Sequence, residues 1–280
     1  MVQHKKNSDG VTSVRRSLEI IELIADTDSG MTVSQLSETL GVNKGIVFRI
    51  LRTLEGCGYV FKDNVIHAYR LTYKVSNIGM RQLSNVRLLD QCTSVLQSLA
   101  DTTDELVRLA VVEGNSITWV YSTFGQTRAL QINPNYSLEI SLHAHAAGKA
   151  WLSTQPLEEA IALVQQAGIK IFTDFTLASI QAIRKDLMLT GERGYSISDQ
   201  EHDYGVTSIG TPIMTLTKSG NTICVGIVSL AAPTSRMSRE ALEGCAPLVK
   251  SVAEKLAWIW PSEAIHTHAD PLSSASGQLP

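Results

Sequence analysis

"LSETLGVNKGIVFRILRTLEGCGY", residues 36–59, decides how this chain is read. Two short amphipathic segments flank Gly41, and behind that hinge Lys44, Arg49 and Arg52 stand in a helical stretch with no acid until Glu55. Just upstream, "MTVSQL" is a complete helix-start signal: Thr32 caps with its hydroxyl, Gln35 reaches back, and Met31 staples onto Leu36. A helix therefore runs to about Leu40, Gly41 supplies the turn, and Asn43 caps the next helix, which Gly56 and Gly58 end. Leu36, Leu40, Val42, Val47 and Ile50 are the apolar anchors, and Ser37 is the small residue where the two helices cross.

Working outward, Val14, Leu18, Ile21, Ile24 and Ala25 recur at helical spacing before Asp28-Ser29-Gly30. After the glycines, "YVFKDNVIHAYRL" holds two β-prone runs around Asp63-Asn64, a hairpin. Three helices and a hairpin make a winged helix-turn-helix, whose second motif helix enters the major groove of DNA. The outward positions are then Asn43, Lys44, Gly45, Phe48, Arg49 and Arg52. Lys44 is placed for a base edge or phosphate, Arg49 and Arg52 for phosphate or guanine, and Phe48 for a thymine methyl. Lys62 in the hairpin and Arg15 and Arg16 in the first helix stand either as backbone contacts or as plain surface charge. A helical hairpin with a solvated basic face is the bland alternative; cap, staple, anchors and wing agreeing together favour DNA.

The rest of the chain is different in kind. The first 75 residues carry 10 Lys and Arg against 8 Asp and Glu, the remainder 14 against 19, so the net −3 hides a basic head. At 280 residues two domains are expected. From Thr72 to about Ala100 the pattern is continuously helical, followed by strands at 106–112, 117–122, about 129–133, 194–198, 206–212 and 222–230. Helices fall at 145–153, 157–167 and 177–190, and Ser238 caps one long last helix that stops before Pro261. Such a mixture predicts an α+β domain with a mostly antiparallel sheet. Residues 1–12 read as a polar disordered arm and 262–280 as a disordered tail. The start lacks an apolar signal region, and "ICVGIVSLAAP" is too short to cross a bilayer, so a cytoplasmic protein without membrane contact is expected. Cys57, Cys92, Cys224 and Cys245 have neither metal nor redox spacing.

The same residues resemble the IclR family of bacterial transcriptional regulators. The likeness begins at "SVRRSLEIIELIA", continues through "LSETLGVNKGIVFRILRTLEGCGYV" to "YRLTYKVSNIG", and resumes in "ISLHAHAAGKAWLS", "IRKDLMLTGERGYSISDQEHDYGVTSIGTPI" and "VSLAAPTSRMS". It implies a winged helix-turn-helix over 13–72, a linker helix over 73–90 and a GAF-like effector-binding domain over 91–261. It further implies homodimers, often dimers of dimers, on double-stranded DNA with near-palindromic operators, and a small carboxylic acid as effector. Members commonly show Ser-Thr after the Lys where this chain has Gly45-Ile46, which implies an unusual operator and costs roughly 1 kcal/mol of helix stability at the glycine.

For the effector, the resemblance marks "HAHAAGKAW", where Ala146, Ala147 and Gly148 let a carboxylate approach backbone N–H groups, with Ser198, Ser208 and Ser229 as polar contacts and Ala231 beside them. Sensors of very small oxo-acids carry an acid or Cys at the positions of Ser198 and Ser208, so the serines point elsewhere. Trp119 and Tyr121, on one predicted strand, either wall an aromatic ligand or pack in the core. Lys149 pairs with a ligand carboxylate or lies in a surface or dimer contact.

An enzyme with an accessory helical domain is the alternative from another class, and a protein-binding sensor a second. "SDQEHD" at 198–203 invites a hydrolase reading, but Val206 stands where a nucleophile elbow needs Gly. The stretch resembles the family's D-x-E loop, a capping and hydrogen-bonding element. His143 and His145, two apart as on one strand face, make a candidate trio with His202, but no Cys or acid at matching spacing completes a zinc set. No catalytic residue, metal or cofactor is therefore assigned.

Overall fold

The computed structural model describes residues 10–125, 131–132, 139–217 and 220–261. The chain divides into two compact units, Met1–Asn85 and Val86–Pro280. The first nine and last nineteen residues, where the arm and tail are expected, lie outside the described residues, as does most of the strand expected at 129–133.

In the first unit, α1 (Thr12–Ala25), α2 (Val33–Leu40) and α3 (Lys44–Gly56) precede a hairpin of β1 (Val60–Lys62) and β2 (Tyr69–Leu71). Thr32 and Gln35 form the reciprocal capping box that starts α2. Gly41 takes the left-handed conformation at its end, where the Ser37 hydroxyl donates to the Val42 carbonyl at 2.6 Å and closes the turn. Ser37 is thus a turn bond as well as a small residue. Gly30 is required, because its φ is +75° and a Cβ there would lie 2.5 Å from the Tyr69 carbonyl oxygen, across the two backbone bonds that tie Met31 to Tyr69. Ile20, Ile24, Leu36, Val47, Ile50, Leu51, Leu54, Val60 and Tyr69 make the core, with Met31 packed against it. The face of α1 that buries is therefore Ile20 and Ile24; Val14 and Leu18, assigned to the same periodic stripe, remain exposed beside Val11. The hairpin turn is longer than Asp63-Asn64: the Asp63 carboxylate accepts from the Val65 and Ile66 N–H groups.

The helical stretch after Thr72 is two helices, α4 (Lys74–Val86) and α5 (Leu88–Thr103), because Arg87 sits in the left-handed region at φ 50°. Nothing in side-chain pattern marks that residue, since arginine has no preference for this conformation.

The second unit is an antiparallel sheet ordered β4-β3-β7-β6-β5, from β3 (Leu106–Glu113), β4 (Ser116–Thr123), β5 (Ser196–Asp199), β6 (Val206–Leu216) and β7 (Thr222–Pro233). One face packs on α5, α9 (Arg239–Gly244) and α10 (Ala246–Ile259) through Leu96, Leu99, Leu109, Ile209, Leu230, Val249 and Leu256. The other packs on α6 (Ala146–Leu152), α7 (Leu157–Ala167) and α8 (Ile180–Arg193) through Ala110, Ile227, Trp151, Val164 and Leu187. The apolar run 223–233 is the inner strand β7, as its length implies. The single long last helix expected from the sequence is divided at Cys245: Pro247 has no N–H to continue the ladder and is accommodated in the first turn of a new helix. Cys92 and Cys224 pack as small apolar groups, and burial pushes both thiols up to about 12.

Candidate functional site

Two surfaces carry chemistry, one in each unit. In the first, α3 begins with the Asn43 side chain accepting from the Gly45 N–H at 2.7 Å, so Asn43 caps the helix with its oxygen and keeps its amide NH2 for other partners. The buried face of α3 is Val47, Ile50, Leu51 and Leu54. Lys44, Gly45, Phe48, Arg49 and Arg52 are all exposed on the opposite side, and Phe48 leaves 47% of its surface in solvent. Lys62 is exposed on β1, whereas Arg15 and Arg16 are half-buried on α1. The helix thus presents three cations and an aromatic ring with no carboxylate among them, the arrangement that a polyanion groove takes.

In the second unit the register of the sheet builds a cavity. Ser198 on β5 pairs with Ser208 on β6, which pairs with Ala231 on β7, which pairs with Leu106 on β3. The next row runs Ser196, Gly210, Ser229, Arg108 and Ser122. Strand alternation sends these residues to the face of α6, since their neighbours Ile197, Ile209, Leu230 and Leu109 fill the opposite core. Small side chains in two adjacent rows leave space that larger ones would fill. The result is a cavity of about 350 Å³ bordered by Arg108, Trp119, His145, Ala146, Ala147, Ser198, His202, Asp203, Ser208, Ser229 and Ala231. The start of α6 is fastened to its rim: the Ser198 hydroxyl donates to the Ala144 carbonyl at 2.7 Å and Ser196 to that of Ala146 at 2.6 Å. Ser208 and Ser229 have no hydrogen-bond partner among the described residues, so their hydroxyls are available to a guest.

Seven of the nine expected ligand residues therefore border one space: Trp119, Ala146, Ala147, Ser198, Ser208, Ser229 and Ala231. Two do not. A bulge at Val120 sets Leu109 opposite Tyr121 but Ala110 opposite Trp119, so the ring of Tyr121 joins the α5–α10 core while Trp119 stays on the cavity side. Gly148 serves close packing instead: a Cβ there would lie 2.5 Å from the Ser141 carbonyl oxygen and 2.6 Å from the Leu142 Cα.

Arg108, His145, His202 and Asp203 complete the wall. His145 lies in a turn rather than on a strand, and its Nδ1 accepts from the Ser141 N–H at 2.8 Å. A backbone N–H can only donate, and burial pushes this imidazole down to about 3, so the neutral ring carries its proton on Nε2. Its ring stacks on His202 with centroids 3.8 Å apart, and His202 Nδ1 meets Asp203 Oδ2 at 2.9 Å. His145, His202 and Asp203 have the composition of a cation site. Their bonding does not suit one, because a ligating histidine offers a bare nitrogen and donates with the other. His143 points to a different partner, the Lys170 carbonyl at 2.9 Å.

Lys149 is wholly buried, contrary to the surface, dimer or ligand contact expected of it. Its ammonium donates to both oxygens of Glu201, at 2.6 and 2.9 Å, and lies 3.0 Å from Asp186 Oδ2. Burial lifts the Glu201 carboxyl to about 7 against the pull of Lys149, with the Asp186 charge adding repulsion. The D-x-E loop is thereby locked from both sides, since the Thr173 and Thr176 hydroxyls donate to the carbonyls of Gln200 and Glu201.

Both units resemble known proteins. A model of the IclR helix-turn-helix domain matches residues 13–64, and one described as bacterial transcriptional regulator IclR C-terminal matches residues 80–258. The HTH-type transcriptional repressor AllR of Escherichia coli K12 is 25% identical over 247 residues, 88% of this chain and 89% of that one. The crystal structure of an IclR-type transcriptional regulator from Alicyclobacillus acidocaldarius shares the fold with a TM-score of 0.77 at 20% identity, covering 90% of this chain and 99% of that one. A homologue from Microbacterium hydrocarbonoxydans, solved in complex with 4-hydroxybenzoate, does so with a TM-score of 0.71 at 17% identity over 91% and 100%.

Proposed function

The chain belongs to the IclR family of bacterial transcriptional regulators, and from that premise we propose how this member reads DNA and what it senses. Lys44, Gly45, Phe48, Arg49 and Arg52 enter the major groove, with Asn43 at the helix start and Lys62, Arg15 and Arg16 as candidates for the backbone. A homodimer, further paired into a tetramer, sets two such heads on a near-palindromic operator. The exposed apolar side chains of Val14 and Leu18 on α1, with Val11 just before it, support pairing with a second copy. The protein acts in the cytoplasm as a regulator without catalytic activity; no helix among the described residues is long and apolar enough to cross a membrane.

The effector is a small organic or aromatic acid held in the cavity of the second unit. One observation carries this: the Ser229 hydroxyl, on a residue only 5% exposed, faces the cavity with no hydrogen-bond partner among the described residues, beside the cation of Arg108. A hydroxyl that opens onto a cavity with its bond unmade can donate to a guest, so the space suits an acceptor-bearing one. The 4-hydroxybenzoate held by the Microbacterium homologue supports the size and class. Binding in the second unit alters how the two heads meet their half-sites, and DNA alters effector affinity by the same factor. A thermal-shift screen with aromatic and aliphatic acids tests the class: an acid at 100-fold excess over its dissociation constant adds about 2.7 kcal/mol. Stabilisation by neutral or cationic solutes, with none from any acid, contradicts it.

A further inference from the structure

The cavity has a direction, set by Arg108, which lies outside every stretch that carries the family resemblance. Arg108 lies on the inner strand β3, in register between Ser229 and Ser122. Its guanidinium rests 3.8 Å from the centroid of the Trp119 ring. Stacking uses the flat face of the group and keeps its N–H fork in the plane, the geometry that receives a carboxylate with two parallel bonds. Among the described lining residues Arg108 is the one Lys or Arg. Ser229 is its cross-strand neighbour, nine-tenths buried, with an unpartnered hydroxyl in the same space, and the buried Nε1 of Trp119 is likewise unpartnered among the described residues. Away from that row the wall holds the stacked rings of His145 and His202, Val206, the Asp203 carboxylate and, one row along, Ser208, a second hydroxyl unpartnered among the described residues.

We propose that Arg108 and Ser229 are the acid anchor of the effector site, so that the guest is a monocarboxylate lying with its acid group on β3 and β7 and its remaining body along the His145–His202 stack. This deepens, and rests on, the reading of the cavity as an acid-effector site. A phosphate ester fits less well. It brings close to two negative charges to one arginine, and Asp203 on the same wall repels the second. Carboxylate is the class that one planar cation and one hydroxyl satisfy.

Calorimetric titration of the full chain with 4-hydroxybenzoate, benzoate and pyruvate, each against its neutral primary amide, tests the anchor. The wild type is expected to bind at least one acid and to reject the matching amide. Arg108→Met is expected to weaken that acid about 30- to 100-fold, as for a hydrogen-bonded charge, and to erase the preference for acid over amide. Ser229→Ala costs about 5- to 10-fold, and Arg108→Lys, which keeps the charge but not the fork, falls between. A loss of preference is what a merely structural arginine does not produce, and an unchanged circular-dichroism spectrum with an unchanged melting temperature shows that the variants are folded. If Arg108→Met does not fold, Arg108→Lys carries the test: an acid affinity equal to wild type overturns the anchor. Acid binding with the same acid-to-amide ratio in Arg108→Met overturns it while leaving the acid-effector reading in place. A wild type that binds none of the acids overturns both.

Discussion

Replacing Lys149 with Met probes the most heavily buried charge among the described residues. The lysine is 0% exposed, and Glu201, its chief partner, is 7% exposed. Methionine keeps most of the apolar stem, so the loss falls on the ions left behind. Removing one member of a buried pair costs about 3–5 kcal/mol, because the other charge is stranded. For a unit of this size each kcal/mol moves the melting temperature by roughly 2–4 °C, so a drop on the order of 10 °C is expected near pH 8. The pH dependence has a definite sign. The Glu201 carboxyl, raised to about 7 from an ordinary 4.5, holds its proton more tightly in the folded than in the unfolded chain. Its contribution is complete below the unfolded value and is lost as pH rises through the folded one. Without Lys149 that folded value climbs further, so the deficit is large at pH 8 and shrinks toward pH 5, where Glu201 stays protonated. Thermal unfolding followed by circular dichroism at both pH values measures this, and adding Glu201→Gln is expected to restore part of the loss at pH 8. A shift below about 2 °C, or one equal at the two pH values, refutes the reasoning.

Other outcomes follow from individual residues. Gly148→Ala drives a Cβ to 2.5 Å from the backbone oxygen of Ser141, so the melting temperature of the second unit is expected to fall by several degrees, whereas Gly168→Ala at an open site costs only its φ strain. Ser208→Trp fills the cavity, and the change in operator affinity on adding effector is expected to vanish while operator affinity without effector stays within about twofold. A Ser208→Trp protein that still answers the effector removes the cavity from the account.

What the sequence makes legible divides by range. The head is readable because its signals are local: Thr32 and Gln35 close a box three residues wide, Gly41 and Asn43 mark a turn, and each is found in that role. The cavity serines are found through the family's pattern, and the cross-strand register of Ser198, Ser208 and Ala231 explains why residues so distant in sequence act together. Arg108 escapes a reading by motif because it lies inside an apolar strand with no motif around it. Its place depends on pairings with Ser229 and Ser122, which no local pattern encodes. The same holds for Lys149, whose partners stand 37 and 52 positions along the chain. Tyr121 is misplaced by a bulge of one residue, which reverses the face of a strand without altering its alternation in sequence. Arg87 and Cys245 interrupt helices for reasons of a single residue, a left-handed φ in one case and the following proline in the other.

As proposed, α3 carries the head into the groove of DNA. The direct measurement is the affinity of the full chain for an operator fragment selected from random duplexes, taken over a range of salt, in wild type and in Lys44→Ala with Arg49→Ala. Binding is expected to collapse in the double variant, and the slope of log affinity against log salt to become shallower by about one for each phosphate that the protein ceases to neutralise. Equal affinity and an equal slope in the two proteins contradict it.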